Sequence, residues 1–266
     1  MRTVVIVGTG LLGSSFGLAV KQGKSFKRVI GVSSPAVVEK ALAVGAIDEA
    51  MPIEKALPLA DLVLLAQPVR RILKLIETLD PMLKPGAVVT DVGSTKVEIC
   101  AAATEYITRA RFVGGHPMAG REVRGPEGAS ADLFVGRPWV LTADDPDLVS
   151  LIQTFGARPV LLSAEEHDRM VAYSSHLPQL LSTGLAGFVA SRDLKRVAGP
   201  GLIDMTRLAL SSYELWDDIL ATNAANIDTA LEGLIGELEH LRAALREGRG
   251  AEAFRQGNSF ASYLRG

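Results

Sequence analysis

The sequence predicts an α/β protein in which a doubly wound, mostly parallel sheet is followed by an all-α region. Three observations predict it. Short apolar runs alternate with helix-period segments up to about residue 163, the strand signals then stop, and a glycine-rich turn joins the first apolar run to the first helical one.

The first run, Thr3-Val-Val-Ile-Val7, leads directly into Gly8-Thr9-Gly10-Leu11-Leu12-Gly13 and then into the apolar-periodic Phe16, Leu18, Ala19 and Val20. Between a strand and a helix this GxGxxG pattern is a mechanism for holding a dinucleotide, as in a Rossmann-type fold. Gly8 permits the tight turn, Gly10 lets backbone approach a pyrophosphate, and Gly13 lets helix and strand pack closely. The helix N-terminus then offers free N–H groups to the phosphates. A glycine turn that binds nothing is the competing reading, and the strand-to-helix context argues against it. Gly8, Gly10, Leu11, Leu12 and Gly13 are therefore cofactor-binding candidates, together with Pro68 after a later strand.

The second strand, Arg28-Val-Ile-Gly-Val32, ends in Ser33-Ser34-Pro35. An acidic residue there would grip the ribose 2′-hydroxyl of NAD. Ser33 and Ser34 neither repel a 2′-phosphate nor clamp it as an arginine would, so NADP is favoured slightly over NAD. Further strands are expected at Asp61-Leu-Val-Leu-Leu-Ala66, Ala87-Val-Val-Thr-Asp91, Phe112-Val113, Trp139-Val-Leu-Thr142 and Pro159-Val-Leu-Leu162. Several are continuously apolar, as strands covered on both faces require. Helical segments lie near 35–44, 69–79, 95–108 and 146–155.

From residue 164 the pattern is helical over 164–191, 202–220, 223–246 and 251–264, interrupted chiefly by Gly-Pro-Gly at 199–201. Ile227, Leu231, Leu234, Leu238, Leu241 and Leu245 form one apolar stripe. The expected division is a dinucleotide-binding domain over 1–163 and a helical domain over 164–266. The stripe serves either as core or as the interface of a homodimer, which is favoured.

Composition sets outer bounds. The 266 residues carry a net charge of −2, so no basic footprint points to nucleic acid or an anionic membrane. The single Cys100 excludes an internal disulfide and a cysteine zinc cluster, and no metal is expected. There is no signal-peptide pattern and no apolar run of membrane-spanning length, so a cytoplasmic location is expected.

Chemistry belongs at the strand ends. Thr90-Asp91-Val-Gly93-Ser94-Thr95-Lys96 follows one strand and Gly114-Gly115-His116-Pro117-Met118-Ala119-Gly120 another. His116, between glycine and proline, is expected in a constrained turn, with its ring projecting from a strand end where an imidazole can accept a proton near neutral pH. Ser94 either caps the following helix or hydrogen-bonds the imidazole or a substrate hydroxyl.

These segments, with Ser175-His176-Leu177-Pro178, Asp204-Met-Thr-Arg207 and Glu214-Leu215-Trp216, give the chain a resemblance to the prephenate/arogenate dehydrogenases of tyrosine biosynthesis. The resemblance covers nearly the whole length. It implies a Rossmann-type domain followed by a helical dimerisation domain, and NAD(P)-dependent oxidative decarboxylation of a cyclohexadienyl ring. It further implies His116 as the catalytic histidine, Ser94 as the serine that positions it, and Arg207 as the guanidinium that binds a substrate carboxylate. Glu122, Ser175, His176 and Trp216 are implied near the pocket.

The chain departs from the family at several places. Gln179 stands where many members have a second histidine, so a cation that helps hold the substrate side chain is replaced by a neutral amide. Arg121 is a candidate to restore that charge. Leu202 and Ile203 replace the common Phe-Arg before Asp204, and Tyr213 replaces a proline before Glu214. The choice between prephenate and arogenate is thereby left open. Two other readings compete. A β-hydroxyacid-type or imine-reducing dehydrogenase would need a lysine or aspartate on the helical domain, and segment 164–191 carries no lysine. A silent dinucleotide sensor would need only the glycine loop, and does not call for His116, Ser94 and Arg207 together.

Overall fold

The computed structural model describes residues 2–120, 123 and 125–265. The chain begins with β1 (Thr3–Val7), α1 (Leu11–Gln22), β2 (Arg28–Val32), α2 (Pro35–Ala43), β3 (Glu49–Ala50) and the single turn α3 (Ile53–Ala56). Then come β4 (Leu62–Leu65), α4 (Val69–Leu79), β5 (Val88–Asp91), α5 (Val97–Tyr106) and β6 (Arg111–Val113). The six strands form one parallel sheet in the order β3-β2-β1-β4-β5-β6, the Rossmann-type arrangement that the sequence predicts. Val4, Ile6, Leu62 and Leu64 enter the core on one face of this sheet. Val5, Val7, Val63 and Leu65 enter the core on the other. Successive side chains alternate between faces, so covering both faces demands uninterrupted apolar runs.

The next segment departs from expectation. β7 (Gly115–Pro117), β8 (Pro138–Leu141), α6 (Pro146–Thr154) and β9 (Arg158–Leu161) build a separate three-stranded sheet, with β7 antiparallel to β8 and β8 parallel to β9. The apolar runs at 139–142 and 159–162 thus belong to this second sheet. No helix separates β6 from β7, so the chain has no crossover with which to add another parallel strand, and β7 pairs with β8 instead. His116 is therefore a strand residue paired with Val140, not part of a turn.

A capping box at Ser163 and Glu166 opens α7 (Ala164–Val171). Segment 164–191 is not one regular helix: a π-helical turn at Ala172–His176 leads into α8 (Leu177–Val189). Pro178 lacks an N–H to continue the regular ladder, and the preceding turn widens. Segment 202–220 is likewise divided. α9 (Pro200–Thr206) ends in a 3₁₀ turn at Arg207–Leu210, before α10 (Tyr213–Thr222), α11 (Ala224–Arg246) and α12 (Ala251–Tyr263). The stripe on α11 is fully buried only at its start: Ile227 packs with Ala172 and Ala230, Leu231, Leu234 and Leu241 are half-buried, and Leu238 is 49% and Leu245 57% exposed. Among the described residues no helix is long and apolar enough to cross a membrane.

Candidate active site

Strand register brings the motifs to one edge. Val7, Leu65 and Asp91 lie level across β1, β4 and β5, and Thr90 lies level with Val113 on β6. Gly8, Ala66 and Val92 accordingly leave the sheet side by side, with Gly114 one register step behind them, and Gly10, Pro68, Ser94 and His116 each follow two residues later. The reversal of strand order between β1 and β4 sits in the middle of this edge, where open α/β sheets bind ligands.

The glycine loop is shaped for a dinucleotide. Gly8 has φ +99°, and a Cβ there would lie 2.3 Å from the Ala66 carbonyl oxygen. A Cβ on Gly13 would lie 2.0 Å from the Gly8 oxygen. Gly10 differs: its φ of −74° suits any residue and a Cβ would meet nothing within 4 Å, so its bareness serves the space outside the fold. That space adjoins the N-terminus of α1, which has no side-chain cap and no acidic residue in its first turn. An NAD(P)-type pyrophosphate fits this cradle. Ser33 and Ser34 are exposed after β2, and Pro68 is exposed at the start of α4.

His116 is held by side chains that the sequence motifs did not single out. Its Nδ1 lies 2.8 Å from His167 Nε2, and His167 Nδ1 lies 2.7 Å from Asp168 Oδ1. His167 and Asp168, adjacent on α7, are both buried. Among the described residues Nε2 of His116 has no hydrogen-bond partner. Partial burial, helped by His167, Lys96 and His176, holds the His116 pKa well below its ordinary value, so the ring is neutral at pH 7.

Ser94 is not the cap of α5. That helix starts at Val97, and the Lys96 and Val97 amides donate to the two oxygens of Asp168, at 2.7 and 2.9 Å. Asp168 thus caps α5 from the helical region, while half-buried Ser94 lies in the bend before it. The bonded ring nitrogen of His116 goes to His167 and not to Ser94. Beneath the site, fully buried Lys96 pairs with Asp91 and donates to the Gly115 carbonyl at 2.9 Å. Asp91 in turn accepts from the Gly93 and Gly115 amides, at 2.7 and 2.9 Å. This network ties the end of β5 to the residue before His116.

The π turn presents half-buried Ser175 and buried His176. His176 Nδ1 lies 3.2 Å from Asn223 Nδ2, and its ring meets Trp216 edge-on at 5.8 Å. Burial, opposed by Asp168 and reinforced by His167, lowers the His176 pKa to about 4. Trp216 Nε1 is buried and has no hydrogen-bond partner among the described residues. One turn further along α8, the Gln179 amide donates to the Leu208 carbonyl at 2.8 Å and to Thr183 Oγ1 at 3.2 Å. Gln179 therefore anchors the turn that begins with Arg207. Arg121 and Glu122 lie outside the described residues.

The histidine, Trp216 and the Arg207 turn are thus linked along the continuous run of α7, the π turn and α8. The sequence pointed to His116 by its motif, but His167 and Asp168 carry no motif. The signal in the sequence is acidic: segment 164–191 carries no lysine but does carry Asp168.

Residues 16–156 match the family described as prephenate dehydrogenase, nucleotide-binding domain, and residues 163–258 match prephenate dehydrogenase, dimerization domain. A prephenate dehydrogenase of Lactococcus lactis subsp. cremoris is 34% identical over 233 residues, covering 84% of this chain and 65% of that protein, so the chain spans just under two thirds of that relative. The crystal structure of prephenate dehydrogenase from Aquifex aeolicus, in complex with hydroxyphenyl propionate and NAD+, superposes with a TM-score of 0.92 at 30% identity, covering 99% of this chain and 98% of that one. Synechocystis arogenate dehydrogenase superposes with a TM-score of 0.86 at 29% identity, covering 99% and 100%. With both family descriptions matched along its length and a neutral histidine at its dinucleotide edge, this chain belongs to the prephenate dehydrogenase family.

Proposed function

We propose that this chain is a prephenate dehydrogenase that carries out NAD(P)-dependent oxidative decarboxylation of prephenate to 4-hydroxyphenylpyruvate in tyrosine biosynthesis. The observation that carries the reading is His116, a neutral imidazole whose Nε2 has no partner among the described residues, at the edge where the glycine loop receives a dinucleotide. A bound nicotinamide supplies the hydride acceptor. The chain's own residues handle the rest. His116 Nε2 accepts the proton of the ring hydroxyl as hydride leaves the same carbon, and the carboxylate carbon–carbon bond breaks, its electrons entering the ring as CO₂ departs. Ser94 orients the hydroxyl, and Arg207 binds a carboxylate through its two-pronged donor set. Ser175, His176 and Trp216 line the ring, and the buried Trp216 N–H is a donor for a polar ligand atom. Arg121 and Glu122 complete the pocket by resemblance.

Arogenate is the second reading, and Gln179 favours it. The Leu208 carbonyl can only accept, so the amide NH₂ is committed to the fold and the amide oxygen is what remains for a ligand. An acceptor suits the ammonium of arogenate better than the ketoacid end of prephenate. For the cofactor, the carboxylate-free Ser33-Ser34 turn favours NADP slightly over NAD. A homodimer through the helical domain covers the exposed Leu238 and Leu245, and a cytoplasmic location goes with the reading.

One assay tests these points: purified protein with prephenate and arogenate against both cofactors. Turnover of either cyclohexadienyl substrate supports the reading, and failure with all four pairs ends it. The His116→Asn variant should lose about 10²–10⁴-fold in kcat with cofactor binding retained, and Arg207→Ala should raise the substrate KM.

A further inference from the structure

Asp168 dictates which nitrogen of His116 is the base. Its two oxygens accept from the Lys96 and Val97 backbone amides, and Oδ1 lies 2.7 Å from His167 Nδ1. An ionised oxygen can only accept, so His167 Nδ1 carries a proton. In a neutral ring Nε2 is then bare, and its 2.8 Å approach requires the proton of that hydrogen bond to sit on His116 Nδ1. The lone pair of His116 is thereby left on Nε2, the nitrogen without a partner among the described residues.

We propose that His167 and Asp168 are positioning residues that lock His116 in its Nε2-basic tautomer and receive the charge formed on it during turnover. The proposal rests on the dehydrogenase reading for its second half only. When Nε2 takes the substrate proton, His116 becomes an imidazolium. Passing its Nδ1 proton to His167 Nε2 returns His116 to neutrality, now protonated on Nε2, and leaves the positive charge on His167 against Asp168. One proton enters, one shifts, and no electrons are transferred. The charge moves toward the Asp168 carboxylate.

The surroundings favour this direction. His116 faces Lys96 from the start of α5, His176 from the π turn and His167 from α7, and each of these lowers its pKa. Lys96 is itself paired with Asp91. The only carboxylate that bonds directly to either ring is Asp168, among the described residues. Its position is fixed by the α5 amides and by Asn223, which donates to its backbone carbonyl at 2.7 Å.

The test separates tautomer from chemistry. The chain has four histidines, so ¹⁵N spectra of histidine-labelled wild-type protein are assignable by single substitution. The expected result is His116 protonated on Nδ1 and bare on Nε2; the opposite tautomer overturns the proposal, whatever the substrate proves to be. His167→Leu removes the acceptor and should lower kcat by about 10–100-fold with KM within threefold. His167→Gln keeps an acceptor for His116 and a donor for Asp168 but cannot take a proton. It should restore the wild-type His116 tautomer and recover part of kcat, with a changed acid limb in the kcat–pH profile. If His116→Asn is inactive while both His167 variants match wild type in kcat and pH profile, the relay is wrong and the dehydrogenase reading survives. If His116→Asn stays active, that reading fails, and the spectra still decide the tautomer.

Discussion

The glycine loop and the histidine cluster sit on the same sheet edge and are built in opposite ways. The loop works through backbone: within six consecutive residues, two glycines are demanded by contacts of 2.0 and 2.3 Å, and a third is surrounded by open space. The cluster works through side chains gathered from β5, the start of α5, β7, α7 and α11, and nearly every polar atom in it is committed to another. The loop therefore tolerates change wherever the fold does not need the glycine. The cluster tolerates little, because removing one member leaves another buried and unpaired.

The largest effect that would sharpen this contrast is expected at Lys96. Replacing it by Met strands the buried Asp91 carboxylate, and the cost in stability should be about 3–5 kcal/mol. Denaturant unfolding measures it; a loss below about 1 kcal/mol would mean that the cluster is no more coupled than a surface ion pair. Acid should act next. The folded pKa of His176, about 4, lies below its unfolded value near 6.5, so the unfolded chain binds more protons between those limits. Stability is fully present above pH 6.5 and falls as the pH drops toward 4, by up to about 3 kcal/mol from this residue. His176→Gln should flatten the slope of Tm against pH in that window, and an unchanged slope would place the acid sensitivity elsewhere.

Gly10→Ala tests the other side of the comparison. With φ −74° and nothing within 4 Å of the added methyl group, Tm should move by no more than a degree or two, while cofactor affinity falls about tenfold, or about 1.4 kcal/mol, because the methyl group occupies the pyrophosphate's space. Equal affinity for the cofactor would remove Gly10 from the cradle. The smallest effect is expected where the two halves meet on the surface. Arg70, at the start of α4, reaches Asp217 at 2.5 Å and Asp218 at 3.4 Å on α10. Arg70→Ala should cost about 0.2–1 kcal/mol and lose its effect at high salt, as exposed pairs do.

Much of the fold was legible because it is local. The apolar runs of β1 and β4 and the turn at residues 8–13 follow from side-chain alternation and glycine geometry that neighbouring residues already specify. His116 was legible as a candidate through its motif, although its strand was not: β7 exists because β8, more than twenty residues later, pairs with it. Of the two roles that the sequence leaves open for Ser94, the cap goes to Asp168, more than seventy residues away. Gln179, a substrate-side candidate by resemblance, uses its NH₂ to hold the Arg207 turn.

By itself the sequence determined a parallel dinucleotide-binding sheet, a helical second half and the identity of the histidine, since each depends on periodicity or contiguous chemistry. Only the tertiary structure decided what surrounds that histidine: which imidazole it touches, which carboxylate stands behind that ring, and which ammonium lies beneath. The physical reason is that hydrogen bonds and charges act over a few ångströms in space, and the groups that meet there are separated along the chain by distances that no local pattern encodes.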